Sequence, residues 1–253
     1  METIIEEAIK TYVARYEEPA DRGWEEPLIA FARSNDPLFN QLKRLVHPGH
    51  ALPEDFLKGA KTVVAFFIPF RKQVIDSNKQ GHFCSRSWAL SYIETNDLIK
   101  AVNEYICSII NAKGYQAVYV PATHNFNETT LLSDWSHRSA AYIAGLGTFG
   151  VNHMLITAKG CCGRIGSLIT DLELKPTARP ATEYCLYLAD GSCGACVDKC
   201  VNEALFTDSL DKHKCYEMCL ANAARFKDLE MIADVCGKCL VDLPCSRNNP
   251  VRQ

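Results

Sequence analysis

The pattern of apolar and polar positions divides the chain into recognisable elements. Ile4, Ile5, Ala8, Ile9, Tyr12 and Val13 fall on one stripe at helical spacing, with Glu6, Glu7 and Lys10 opposite, which predicts a helix over 1–17. Prolines at 19, 27, 37, 48 and 53 break up the segment 18–58, so it reads as loop-rich with one or two short helices. The run 61–68 is β-branched and aromatic without alternation and stops at Pro69, which predicts a strand buried on both faces. A long helix follows over 88–112, with Gly114 as its cap, then a strand over 115–120 stopped by Pro121. A helix over 136–144 leads to two strands, 153–157 and 165–170, expected to pair around Gly160 and Gly163. This order predicts an α/β (α+β) sheet domain over 1–180. The stretch 173–182, with Pro176 and Pro180, is the expected junction to a second domain over 181–253.

Composition fits a globular protein: 253 residues, 47% hydrophobic and 23% charged, suffice for a real core. The net charge is −3 and gives no support for a polyanion such as tRNA as partner, although it leaves room for a local basic pocket. The longest uncharged apolar run, 62–70, is far short of the roughly 20 residues of a membrane helix. The acidic N-terminus has no cleavage-site pattern, so no membrane association and a cytoplasmic location are expected.

Thirteen cysteines change the picture. Only Cys84, Cys107, Cys161 and Cys162 precede residue 185, while nine crowd the remainder. A reducing compartment and an odd count both disfavour disulfides. Ferredoxin-type clusters use C-x2-C-x2-C-x3-C, with the fourth cysteine crossing to the other cluster when there are two. Cys193-Gly194-Ala195-Cys196-Val197-Asp198-Lys199-Cys200 supplies the last three positions, and Asp190 stands at the first, so Cys185 is the substitute. Cys236-Gly237-Lys238-Cys239, with Cys245 after Pro244, forms a second half. The crossing rule assigns Cys185, Cys193, Cys196 and Cys245 to one 4Fe-4S cluster, and Cys200, Cys215, Cys236 and Cys239 to another. Cys219 is then spare, in close competition with Cys215. A single zinc on Cys193, Cys196, Cys236 and Cys239 is the alternative, but it strands five cysteines.

Gly145-Leu146-Gly147-Thr148-Phe149-Gly150 matches the dinucleotide fingerprint, yet a helix precedes it and a strand follows, the reverse of that motif. Its two remaining readings are a glycine-rich helix stop and a close backbone approach to a large cofactor. The run 144–156, which continues through Val151-Asn152-His153-Met154-Leu155-Ile156 and is followed by the cysteine tail, resembles the epoxyqueuosine reductase and reductive dehalogenase superfamily. The resemblance covers roughly 136–245. It implies a nitroreductase-like, cobalamin-binding sheet domain followed by a ferredoxin-like double-cluster domain. It further implies electrons from an external donor such as a ferredoxin or flavodoxin, and a small-molecule or modified-nucleoside substrate. Arg138, Gly145, Leu146, Gly147, Gly150 and Asn152 become the cofactor-binding candidates.

The family pattern has Lys where Val151 stands, and a proton-donating Asp where Leu131 stands, fourteen residues before Gly145. Asp134, three residues on, and His137 are the candidate acids. A corrinoid-free electron carrier or reductive activator of a partner enzyme is the rival reading. His47 and His50 read as loop residues, Cys84 and Cys107 as core, and Cys161 and Cys162 as structural or reactive surface thiols.

Overall fold

The computed structural model describes residues 1–16, 23–121 and 126–251; the end of the expected first helix and Pro19 lie outside them. The centre is β2 (Thr62–Pro69), whose eight residues are all buried, as expected of an unalternating apolar run. It pairs antiparallel with β1 (Leu28–Arg33) on one side and β8 (Gly163–Thr170) on the other, and β3 (Ala117–Tyr119) adds to β8. The sheet order is β1-β2-β8-β3, so the fold is α+β with an antiparallel sheet.

Each face of β2 builds its own core. Val64, Phe66 and Ile68 point to a layer formed by α1 (Glu2–Arg15) and α5 (Arg86–Ala112), which contributes Leu98, Ile99, Val102, Ile106 and Ile110. Val63, Ala65 and Phe67 point the other way, against α2 (Pro37–Leu45) and α6 (His137–Ala144). The period-2 alternation of a strand thus feeds two layers of helix. Short α3 (Pro53–Phe56) and α4 (Lys72–Ser77) finish the loops around them.

Two expectations are corrected. The segment 18–58 contains a strand, β1, as well as helices. The strands expected to form a hairpin do not pair with each other. Instead β7 (Leu155–Thr157) folds back on β6 (Gly147–Phe149), and β8 joins β2 nearly a hundred residues earlier in the chain. A small hairpin, β4 (Phe126–Asn127) with β5 (Leu132–Ser133), carries Leu131 at positive φ.

The proline-bearing stretch after β8 has no regular structure but is held in place. Thr177 donates its backbone N–H to Phe31 and accepts from Phe31 through its hydroxyl, and Arg179 pairs with Asp36 at 2.8 Å. Beyond it lie α7 (Leu186–Asp190), α8 (Ala195–Asp198), α9 (Lys212–Arg225) and a 3-10 turn over Lys238–Leu240. This cysteine-rich part packs on the α5 side of the sheet, where Cys185, Cys196, Leu205, Phe226, Leu240 and Val241 join that core. Backbone bonds also stitch it on: the N–H of Cys161 reaches the carbonyl of Cys245 at 3.0 Å, and that of Cys162 reaches Ser246 at 3.2 Å. Among the described residues no helix is long and apolar enough to cross a membrane.

Candidate functional site

Cys185 starts α7, Cys196 lies in α8, Cys193 precedes it, and Cys245 comes from the last loop. These four thiols line one cavity of about 360 Å3 of atom-free space, its open side included, together with Asn152 and Pro244. Burial raises the Cys196 thiol to about 11, and the negative charges of Cys245, Cys185 and Cys193 add to the rise. Thiolates gathered this closely repel one another unless a positive centre sits among them.

A second group adjoins the first. Burial lifts Cys236 to about 11 against the pull of the Lys238 backbone N–H, with Cys215 and Cys200 repelling it further. Cys239 is raised by burial and then by Cys236, Cys215, Cys200 and Cys196, so it stands between the two groups. Cys215 and Cys219 are one turn apart on α9. The Cys219 thiol donates to Cys215, which falls to about 7 while Cys219 rises. Cys215 acts on both Cys236 and Cys239, whereas the charge neighbours of Cys219 are Cys215, Cys236 and Asp234. Among the described residues no three His, Cys, Asp or Glu side chains close on a single-ion site. Cys185, Cys193, Cys196 and Cys245 are arranged around a volume, an arrangement that suits a cluster with four separate iron corners.

The glycine loop is shaped by its packing. Gly145 caps α6 in the left-handed region at φ 93°, and a side chain there would press on the Ala178 carbonyl. At Gly147 a Cβ would lie 1.9 Å from the Ile156 oxygen, so the close pairing of β6 with β7 itself requires glycine. The missing side chain of Gly150 is replaced by Ile156 and Asn152, and Leu146 is buried in the α6 core. Asn152 turns toward the cysteines: its amide donates to the Cys239 carbonyl at 3.3 Å, and its oxygen accepts from the Met154 N–H at 3.1 Å.

Arg138 is exposed to solvent, yet surrounding protein and Arg164 depress its proton affinity while Cys215 opposes them. Arg138 donates to the His153 carbonyl at 2.8 Å and to the Met154 sulfur at 3.4 Å. Arg164 stacks over the Tyr92 ring at 4.3 Å and donates to Asn96 at 2.7 Å, and Tyr92 in turn donates to Asp234 at 2.8 Å. His153 has its proton affinity lowered by burial, Arg138 and Lys212, so both cations act on the same imidazole. Arg164 has one local signal: it is a charged residue inside a strand otherwise built of apolar and small residues. Lys212 carried no such signal.

The two acid candidates lie apart in character. His137 is buried, with Nδ1 accepting from the Ser167 hydroxyl at 2.8 Å and Nε2 donating to the Pro121 carbonyl at 3.2 Å. The Pro121 carbonyl can only accept, which fixes the direction of the chain of bonds in the neutral ring, and Trp135 donates to the same Ser167 oxygen at 3.1 Å. Burial lowers His137 to about 4, so it is neutral at pH 7. Asp134 is on the surface, with its side chain 79% exposed and 3.4 Å from His47. His50 is buried and accepts from the Ser136 N–H at 3.2 Å, so it fixes the start of α6. Cys161 and Cys162 are both buried, which excludes the surface-thiol reading. Cys84 and Cys107 are core residues whose thiols burial raises to about 12 and 11.

No family model matches the chain, and no curated protein matches its sequence. Solved structures do match. An epoxyqueuosine reductase from Streptococcus thermophilus aligns with all of this chain and 68% of its own, at TM-score 0.61 and 16% identity. One from Bacillus subtilis, with its catalytic loop swung out of the active site, aligns with 98% of this chain and 66% of its own (TM-score 0.62, 16% identity). An epoxyqueuosine reductase bound to an epoxyqueuosine-modified tRNA-Tyr stem loop aligns with 97% and 65% (TM-score 0.61, 17% identity). The chain therefore has the epoxyqueuosine reductase fold and spans about two thirds of the length of these structures.

Proposed function

We propose that the chain is an iron–sulfur reductase of the epoxyqueuosine reductase type, with two 4Fe-4S clusters and a bound cobalamin. The observation that carries this reading is the convergence of Cys185, Cys193, Cys196 and Cys245 on one cavity, although sixty residues separate the first from the last. Cys200, Cys215, Cys236 and Cys239 hold the second cluster, with Cys219 donating its thiol hydrogen to Cys215. When bound, the clusters supply one-electron transfer and the corrinoid a strongly reducing cobalt centre.

The work of the chain's own residues is distinct from that chemistry. Asn152 fixes the glycine loop against the second cysteine pair. Arg138 and Arg164, with guanidinium donors to spare, would hold carboxamide or phosphate groups of the corrinoid. Gly145, Leu146, Gly147 and Gly150 shape the loop that would lie against the corrinoid. His137, neutral and engaged at both nitrogens, supports the helix that presents Arg138. Lys212, Arg138 and Arg164 provide the local positive field that a nucleoside in tRNA would need, despite a net charge of −3. An external ferredoxin or flavodoxin is the fitting donor class.

Metal analysis and a visible spectrum of anaerobically purified chain, incubated with cobalamin and desalted, test the proposal. About eight iron with stoichiometric cobalt is expected. Eight iron without retained cobalt would favour an electron carrier or reductive activator, and zinc without iron would overturn the redox reading. With both cofactors in place, reduction of an epoxyqueuosine-bearing stem loop by a chemical reductant tests the substrate class.

A further inference from the structure

The two C-x-x-C loops of the tail are alike except at one place: Cys193-Gly194-Ala195-Cys196 has alanine where Cys236-Gly237-Lys238-Cys239 has lysine. A lysine there would ordinarily extend into solvent. Lys238 instead is 3% exposed. Its Nζ donates to the carbonyls of Asn78 at 2.8 Å and Gln80 at 2.7 Å, both in the loop after α4. Asn78 is itself fully buried and returns a bond from its amide to the Cys236 carbonyl at 3.0 Å, so the loop closes over the lysine from both sides. Among the described residues no carboxylate pairs with Lys238; the sulfur groups that act on it are Cys236, a ligand of the second cluster in the reading above, and the core thiol of Cys84.

A buried cation held only by carbonyl dipoles is costly unless a counter-charge lies beside it. A thiolate-ligated cluster is such a counter-charge, and reduction makes it more negative. We propose that Lys238 is a fixed positive charge built against the second cluster, which sets that cluster's reduction potential above that of the first, where Ala195 offers none. The inference rests on the two-cluster reading. Lys238 acts through the cluster field and touches no substrate, so it is a positioning residue.

The test is EPR-monitored potentiometry of the anaerobically purified full chain, after iron has been counted. In the unsubstituted chain two midpoints are expected. Lys238→Met should move one of them to lower potential by a tenfold change in the reduced-to-oxidised ratio or more, about 59 mV for one electron, and leave the other in place. Lys238→Arg should return the shifted midpoint toward its original value. Should the Met variant lose iron, Lys238→Gln keeps an N–H donor for the two carbonyls and carries the same expectation. Full iron with unchanged midpoints, or with both moved equally, would overturn the inference alone. A chain that binds no iron would overturn the cluster reading and this inference together.

Discussion

The side-chain amide of Asn152 donates to the backbone carbonyl of Cys239 at 3.3 Å, so the glycine loop and the second cysteine pair are held by a single side chain. Its oxygen simultaneously accepts the Met154 N–H, which leaves the side chain no freedom to turn. Because Asn152 is buried, removing it leaves both backbone groups without a partner. Asn152→Ala should cost about 1–3 kcal/mol. In a chain of this size that lowers the melting temperature by several degrees, measurable by thermal denaturation of the apo-protein.

His137 makes stability depend on pH in a defined direction. Its folded value is near 4, below the usual histidine range, because burial disfavours the charged ring. The unfolded chain binds this proton near pH 6.5. The stabilisation is therefore complete above about pH 6.5, declines as pH falls toward 4, and is constant below that. Its upper bound is about 3 kcal/mol, at about 1.4 kcal/mol per pH unit. Urea unfolding at pH 7 and at pH 5 should show this loss, and His137→Gln should flatten the difference between the two. An unchanged difference would mean that other groups carry the acid limb.

The two α9 cysteines separate by substitution. Cys215→Ser is expected to remove one cluster and leave about four iron per chain, whereas Cys219→Ser should keep about eight. The reverse result would make Cys219 the ligand. Loss of iron from both would show that the thiol hydrogen given to Cys215 is needed for cluster retention.

Gly147 faces the Ile156 carbonyl so closely that no side chain fits. Gly147→Ala must separate β6 from β7 and is expected to cost about 3 kcal/mol or more. Poor soluble yield or a melting temperature lowered by about 6 °C or more would register it.

Much of the frame was legible because it rests on local signals. The unbroken apolar run of β2 could only be a buried strand, and Ser136 with Gly145 marks both ends of α6. The failures share a cause. Leu28–Arg33 lies between Pro27 and Pro37, so its punctuation said loop, and only a neighbour thirty residues on makes it a strand. Glycines around 160 suggested a local hairpin, but Ile165 faces Phe67 and Leu168 faces Val64, pairings that no turn residue announces. At the site, cysteine spacing is a statement about short loops and was readable. Arg164 and Lys212 come from separate elements, so only the folded chain brings their charges to bear on Arg138 and His153. The same holds for Asn78 and Lys238.

The bonds from Cys161 and Cys162 to the carbonyls of Cys245 and Ser246 also bear on how the protein is made. A chain emerging from the ribosome finishes β8 well before Cys245 appears, so the turn leading into that strand keeps its two backbone donors open until residues 245 and 246 are made. Docking of the tail on that turn is therefore a later event than pairing of the sheet. A chain stalled or clipped short of residue 245 would leave the turn open, together with the hydrophobic surface beneath the tail.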